Sequence, residues 1–184
     1  YVFDWQDYLA PKTAYRLMKA KVPVYFCRKP FVIDSCQGQR LSFSAGSFFV
    51  QLKNNSKHRQ RILSAVREAE DNGVRVAATA TAATPDGPDL GSSVFEPLNV
   101  PEVALLIGGG VSAYEAGEVW HLLDRKFDMH VTKLEYERPA TTDLDRFSTL
   151  ILVGGSYEFS SAAGTVIGDF VRQGGTLISY AKAA

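Results

Sequence analysis

The sequence predicts an α/β chain, with a small α/β unit over residues 1–97 and a parallel-sheet domain over residues 98–184. Three observations carry this expectation. Residues 103–107 (Val-Ala-Leu-Leu-Ile) form an unbroken apolar run that ends in Gly108-Gly109-Gly110, as a strand covered on both faces and turning straight into a helix requires. Beyond that run, strand-like and helix-like segments alternate to the end of the chain. Before it, residues 84–93 concentrate proline, aspartate, glycine and serine without periodicity, which marks a connection between two units.

In the first unit, residues 1–5 read as a strand. Residues 10–21 place Tyr15, Met18 and Val22 on one helical face, and Pro11 is tolerated in the first turn. Residues 22–32 are rich in β-branched and aromatic side chains and read as one strand, with Pro23 and Pro30 putting its ends at an edge. Residues 41–44 and 47–52, separated by Ala45-Gly46, read as two strands or one bulged strand. Ser56 stands where an N-cap would open a helix over residues 57–72, with Ile62, Val66 and Ala69 inward and Gly73 as its stop. Residues 74–80 follow as a strand, and Val94, Phe95 and Leu98 are apolar points within the connecting stretch.

The second unit is more regular. Residues 113–126 show Ala116, Val119, Trp120, Leu123 and Phe127 at the steps of one buried helical face. Residues 130–135 and 150–153 read as strands, the latter running into Gly154-Gly155. Ala163, Val166, Ile167, Phe170 and Val171 form the next helical face, stopped by Gly174-Gly175, and residues 176–180 are the fourth strand. This alternation implies a parallel sheet with right-handed crossovers, and in a doubly wound arrangement the strand order is second, first, third, fourth. The last strand lies at an edge, and a bare apolar edge invites pairing with another chain. A homo-oligomer through residues 176–180 is one expected way of covering it.

Of the 184 residues, 46% are hydrophobic and 22% charged, which argues for packed cores. The formal net charge is zero, so nothing electrostatic recommends nucleic acid or an anionic membrane as a partner. No apolar run approaches the roughly 20 residues of a membrane helix. The first residues are apolar and carry no signal-peptide pattern, which reads as a segment of a longer protein. Cys27 and Cys36 make no CxxC motif; their separation permits a bridge across a hairpin, and the favoured reading is a buried thiol and a loop thiol.

Candidate chemistry gathers at the strand ends of the second unit. Gly108-Gly109-Gly110-Val111-Ser112-Ala113 fits G-x-G-x-x-A between a strand and a helix, and Glu135 lies where a ribose-binding acid is expected. The competing reading is a tight turn that simply benefits from glycine. At least one of these glycines is expected at φ > 0, so that a side chain at Gly109 or Gly110 destabilises the fold. Glu115, in the first turn of the same helix, is placed either to assist a nucleophile on a neighbouring strand or to complement the helix dipole. The nucleophile of acyl-transfer chemistry belongs on the turn after residues 176–180, where Tyr180-Ala181-Lys182 stands and neither Cys nor Ser occurs; Ser179 comes one residue early and points the other way. No catalytic residue is therefore assigned. The candidate ligand pocket is Gly108, Gly109, Gly110, Glu115, Gly154, Gly155, Tyr180 and Lys182. His121 and Asp124 are spaced i, i+3 but read as a solvated helix face, and no HxxE or HExxH occurs, so no metal ligand is assigned.

The stretch from Val103 to Asp124 resembles the start of the amidotransferase-like domain appended to a group of bacterial zinc carboxypeptidases, most specifically in Gly110-Val-Ser-Ala-Tyr-Glu-Ala-Gly-Glu-Val-Trp120. Asp89-Leu90-Gly91-Ser92, and Phe3-Asp4-Trp5 with Ala10-Pro11, are similar to the segments that precede that domain. The resemblance implies a flavodoxin-like, class I glutamine amidotransferase-like fold for residues 98–184, truncated at its end. It implies a non-catalytic accessory region, with zinc held by an upstream peptidase domain of the same protein. That domain is then the implied partner; the sequence itself fixes no compartment, and the resemblance admits a periplasmic or secreted one. A nucleotide-binding domain using Gly108 to Gly110 and an amidotransferase-like hydrolase are the alternatives.

Overall fold

The computed structural model describes residues 1–180, and the chain divides into two units, Tyr1–Val100 and Pro101–Ala184. Lys182, one of the candidate pocket residues, and Ala181 lie outside the described residues.

The first unit is built on a five-stranded antiparallel sheet. Its strands are β1 (Val2–Phe3), β2 (Tyr25–Cys27), β5 (Phe48–Phe49), β6 (Val76–Ala77) and β7 (Phe95–Pro97), in the order β6-β1-β5-β2-β7. Alternation along such short strands sends neighbours to opposite faces. Phe3 and Phe48, stacked with ring centroids 4.8 Å apart, face helices α1 (Ala10–Lys19) and α2 (Arg59–Asp71), where Leu17, Ile62 and Val66 complete the core. Val2, Phe49 and Phe95 face the hairpin of β3 (Phe31–Asp34) and β4 (Arg40–Phe43), whose Phe31 and Phe43 close that side.

Several sequence expectations for this unit are corrected. Residues 22–32 are two strands, not one. Pro30 has no N–H to donate to a ladder, and after it the chain leaves the sheet to form the separate β3–β4 hairpin. The strand expected over residues 74–80 is only β6, because β1 offers two residues to pair with it. Ser56 does not cap α2. A 3-10 turn over Lys53–His58, kinked at Asn55, leads into the helix, and the residue at the N-cap is His58, without a side-chain bond. The connecting stretch supplies an additional strand, β7, whose Phe95 pairs with Cys27 and whose Pro97 ends it at the sheet edge.

The second unit is a four-stranded, all-parallel sheet. Strands β8 (Val103–Ile107), β9 (Val131–Glu135), β10 (Thr149–Leu152) and β11 (Thr176–Ser179) lie in the order β11-β10-β8-β9 expected of a doubly wound sheet. Helix α3 (Ala113–Trp120), continued by π-helical turns over His121–Lys126, covers one face through Ala116 against Val103, Leu105, Val131 and Ile151. Helix α4 (Ser161–Arg172) covers the other through Ile167 and Phe170 against Ala104, Leu106 and Leu150. Strand β8 is thus buried on both faces, which is why its sequence is apolar at every position. The connection from β9 to β10 contains a 3-10 turn over Pro139–Thr141, and its Leu144 and Phe147 join the α4 face. Val171 is 42% exposed, contrary to the helical face assigned to it: Ala163, Ile167 and Phe170 already fill the inward stripe of α4. The edge strand β11 is exposed along its length, including Leu177 and Ile178.

Candidate functional site

Because α3 and α4 lie on opposite faces, the chain direction across the sheet reverses between β8 and β10, where an open α/β sheet forms a crevice at its strand ends. In this protein the crevice is closed by its own backbone. Ser112 N–H donates to the Gly154 carbonyl at 2.8 Å, and Ser156 N–H donates to the Gly110 carbonyl at 3.0 Å. Val111 and Gly155 form an antiparallel bridge between these two bonds. The Gly154 N–H donates to Glu115 Oε2 at 2.6 Å, a charge-assisted bond across the seam. Glu115 is positioned for this by the start of α3, where the Ser112 hydroxyl caps the helix by accepting from the Glu115 N–H at 3.4 Å.

Glycine is required at particular points of this seam. Gly110 has φ of +81°, and a Cβ there would stand 2.9 Å from the Ser156 carbonyl oxygen. A Cβ on Gly155 would stand 2.8 Å from both the Gly110 carbonyl oxygen and Val111 Cα. These are backbone atoms that cannot swing aside. The expectation that a side chain at Gly109 destabilises the fold is corrected: its φ is not positive, and a Cβ there meets nothing within 4 Å. Gly108 is the other positive-φ residue of the turn, at +129°.

The structure therefore brings Gly110, Glu115, Gly154 and Gly155 together, but as a closed junction. Tyr180 stands close enough to feel Glu115: burial, and then the Glu115 and Glu118 carboxylates, raise its hydroxyl above the usual tyrosine range. Tyr157 donates its hydroxyl to the Val153 carbonyl at 2.7 Å, and burial, with Glu115 adding to it, raises its pKa in the same direction. Gly108 faces elsewhere. Glu137 Oε2 lies 3.2 Å from where its Cβ would be, a negative charge that opposes a pyrophosphate on this loop. Glu135, the candidate ribose acid, is in an ion pair with Arg138 at 2.9 Å.

Open space exists on the other side of β8. A cavity of about 370 Å³ lies between α3 and strands β8 and β9, with Leu105, Ile107, Val111, Ala116 and Trp120 among its walls, and with Gly108 at one end. Lys133, its one charged lining residue, holds its ammonium 5.2 Å from the centroid of the Trp120 ring. The sequence reasoning placed Trp120 in the core and did not single out Lys133. A signal was present: Lys133 sits two residues from buried Val131 and opposite buried Leu105, so it projects from the face of β9 that α3 partly covers.

Cys27 is buried and Cys36 exposed, and both are free thiols. His121 and Asp124 fall in the π-helical turns that extend α3. Among the described residues no group of three or more His, Cys, Asp and Glu side chains is placed to hold a metal ion, and no helix is long and apolar enough to cross a membrane. In comparisons with known proteins, the chain matches no family model, no curated protein and no solved structure.

Proposed function

We propose that this chain is a non-catalytic accessory region of a zinc carboxypeptidase-like protein. On this reading the second unit is a flavodoxin-like, class I glutamine amidotransferase-like domain kept for binding and not for acyl transfer. The observation that carries it is the engagement of Glu115. Glu115, the acid of the β8–β10 crevice, accepts from the Gly154 N–H inside a crevice already closed by backbone, which supports a structural over a catalytic role for its carboxylate. The resemblance between Gly110 and Trp120 supplies the family. Zinc then belongs to the upstream peptidase domain, which is the partner this region supports, and no residue of the chain is assigned to it.

The purified chain, supplied with zinc, is expected to release neither C-terminal residues from peptides nor ammonia from glutamine. Turnover of either substrate that is lost in Glu115→Gln overturns the reading. The parentage has its own check. The reading frame ahead of Tyr1 should encode a peptidase domain with a His-x-x-Glu motif, and an unrelated domain there removes the assignment.

A further inference from the structure

The cavity under α3 has the volume that the closed crevice lacks, and a single charged side chain among apolar walls. Its size, about 370 Å³, lies within the range of ligand pockets. Leu105 and Ala116 are buried core residues, so the inner wall is rigid and apolar, and Trp120 adds an aromatic side. Against these walls stands a single ammonium, that of Lys133, which pairs with no carboxylate among the described residues. An open apolar cleft with one ammonium among its lining residues is complementary to one kind of small molecule. The molecule carries a compact apolar body and one anionic end.

We propose that this cavity binds a small apolar monocarboxylate, its aryl or branched alkyl body against Trp120 and Leu105 and its carboxylate on Lys133. The proposal rests on the accessory reading in one respect, that the unit binds a ligand without turning it over. Gly117 offers a clean way to close the site. It lines the cavity, and a Cβ built on it meets nothing within 4 Å, so a larger side chain there grows into open space. Its replacement within α3 also removes a helix-weakening residue, so the blocked protein is expected to fold.

Calorimetric titration with phenylacetate and with phenylacetamide tests the idea, with Trp120 fluorescence in a Trp5→Phe background reporting where the probes sit. The acid is expected to bind about tenfold more tightly than the amide. Lys133→Met, or Lys133→Gln if the first folds poorly, should bring the two probes to equal affinity. Gly117→Leu should abolish both titrations without lowering the melting temperature. Equal affinity of acid and amide for the wild-type chain, absence of phenylacetate binding up to about 10 mM, or full binding by folded Gly117→Leu each overturns the proposal. A failed titration leaves the accessory reading standing, whereas glutamine or peptide turnover sinks that reading whatever binds in the cavity.

Discussion

The two sides of the C-terminal end of β8 have opposite character. Toward β10, backbone meets backbone, two glycines sit where no Cβ fits, and a carboxylate is spent on an amide. Toward β9, the wall is made of side chains and a cavity remains. The difference follows from how each pair of strands is joined. Between β8 and β9 the helix α3 crosses over, and the cavity lies beneath it, with Trp120 and Lys133 among its lining residues. Between β8 and β10 no helix intervenes on the shared side, so the loops that leave the two strands meet directly and must satisfy one another's N–H and C=O groups. A switch point is a place for a ligand only when the protein leaves those groups unpaired.

Substitutions can break this contrast, and the largest effect is expected at Gly155. Gly155→Val puts a branched side chain against the Gly110 carbonyl and Val111, and should lower unfolding free energy by about 3 kcal/mol, read from urea midpoints. A midpoint unchanged from wild type would mean the seam is loose. Gly110→Ala combines a positive φ with a contact on the Ser156 carbonyl, and about 2 kcal/mol is the expected loss. Glu115→Ala leaves the Gly154 N–H without its acceptor and should cost about 1.5 kcal/mol. Glu115→Gln keeps an acceptor in place and should cost less, so equal losses in the two variants would show that the bond itself contributes little.

A pH titration sharpens the same comparison from the side of the tyrosines. Burial raises Tyr157 above its ordinary value of 10.0, and Tyr180 shifts the same way. A raised folded-state pKa means that the neutral hydroxyl is favoured by folding. Its stabilising contribution is complete below pH 10 and is lost as pH rises through the folded-state value. Unfolding midpoints measured across that alkaline window should therefore fall, and Tyr157→Phe should flatten the fall. A slope identical in wild type and variant would remove Tyr157 from the seam. The smallest effect is expected at Gly109→Ala, where φ is ordinary and the space is open; the change should stay within about 0.5 kcal/mol of wild type.

Local pattern reached a good deal of this molecule. Val103 to Ile107 announced β8 because a strand buried on both faces has no polar positions, and the order of the parallel sheet is the one a doubly wound arrangement predicts. Ile62, Val66 and Ala69 were legible as the inner face of α2 for the same kind of reason, a period fixed by helix geometry. Where the sequence misled, the deciding partner was far along the chain. Phe95 belongs to a strand only because Cys27 pairs with it, and the strand expected over residues 74–80 is cut to Val76–Ala77 because β1 offers it only two residues. The carboxylate of Asp4 is held by Arg75 and by the hydroxyls of Ser44 and Ser47, a network no spacing could reveal.

The candidate site divides in the same way. The glycines and the acid Glu115 were visible as residue types suited to a strand-to-helix turn, and the turn is where they lie; the cap by Ser112 was not singled out. Whether that turn cradles a ligand or closes on its neighbour depends on a segment far along the chain, the one that leaves β10. Gly154, Gly155 and Ser156 bring their backbone to it through the sheet register that sets β10 beside β8. Sequence by itself determined the elements of the second unit, because hydrophobic periodicity is a local property of the chain. Tertiary structure alone decided which backbone groups are spent on each other and which space beside Trp120 and Lys133 stays open, because hydrogen bonds and cavities are set by distances between segments that the chain's order does not encode.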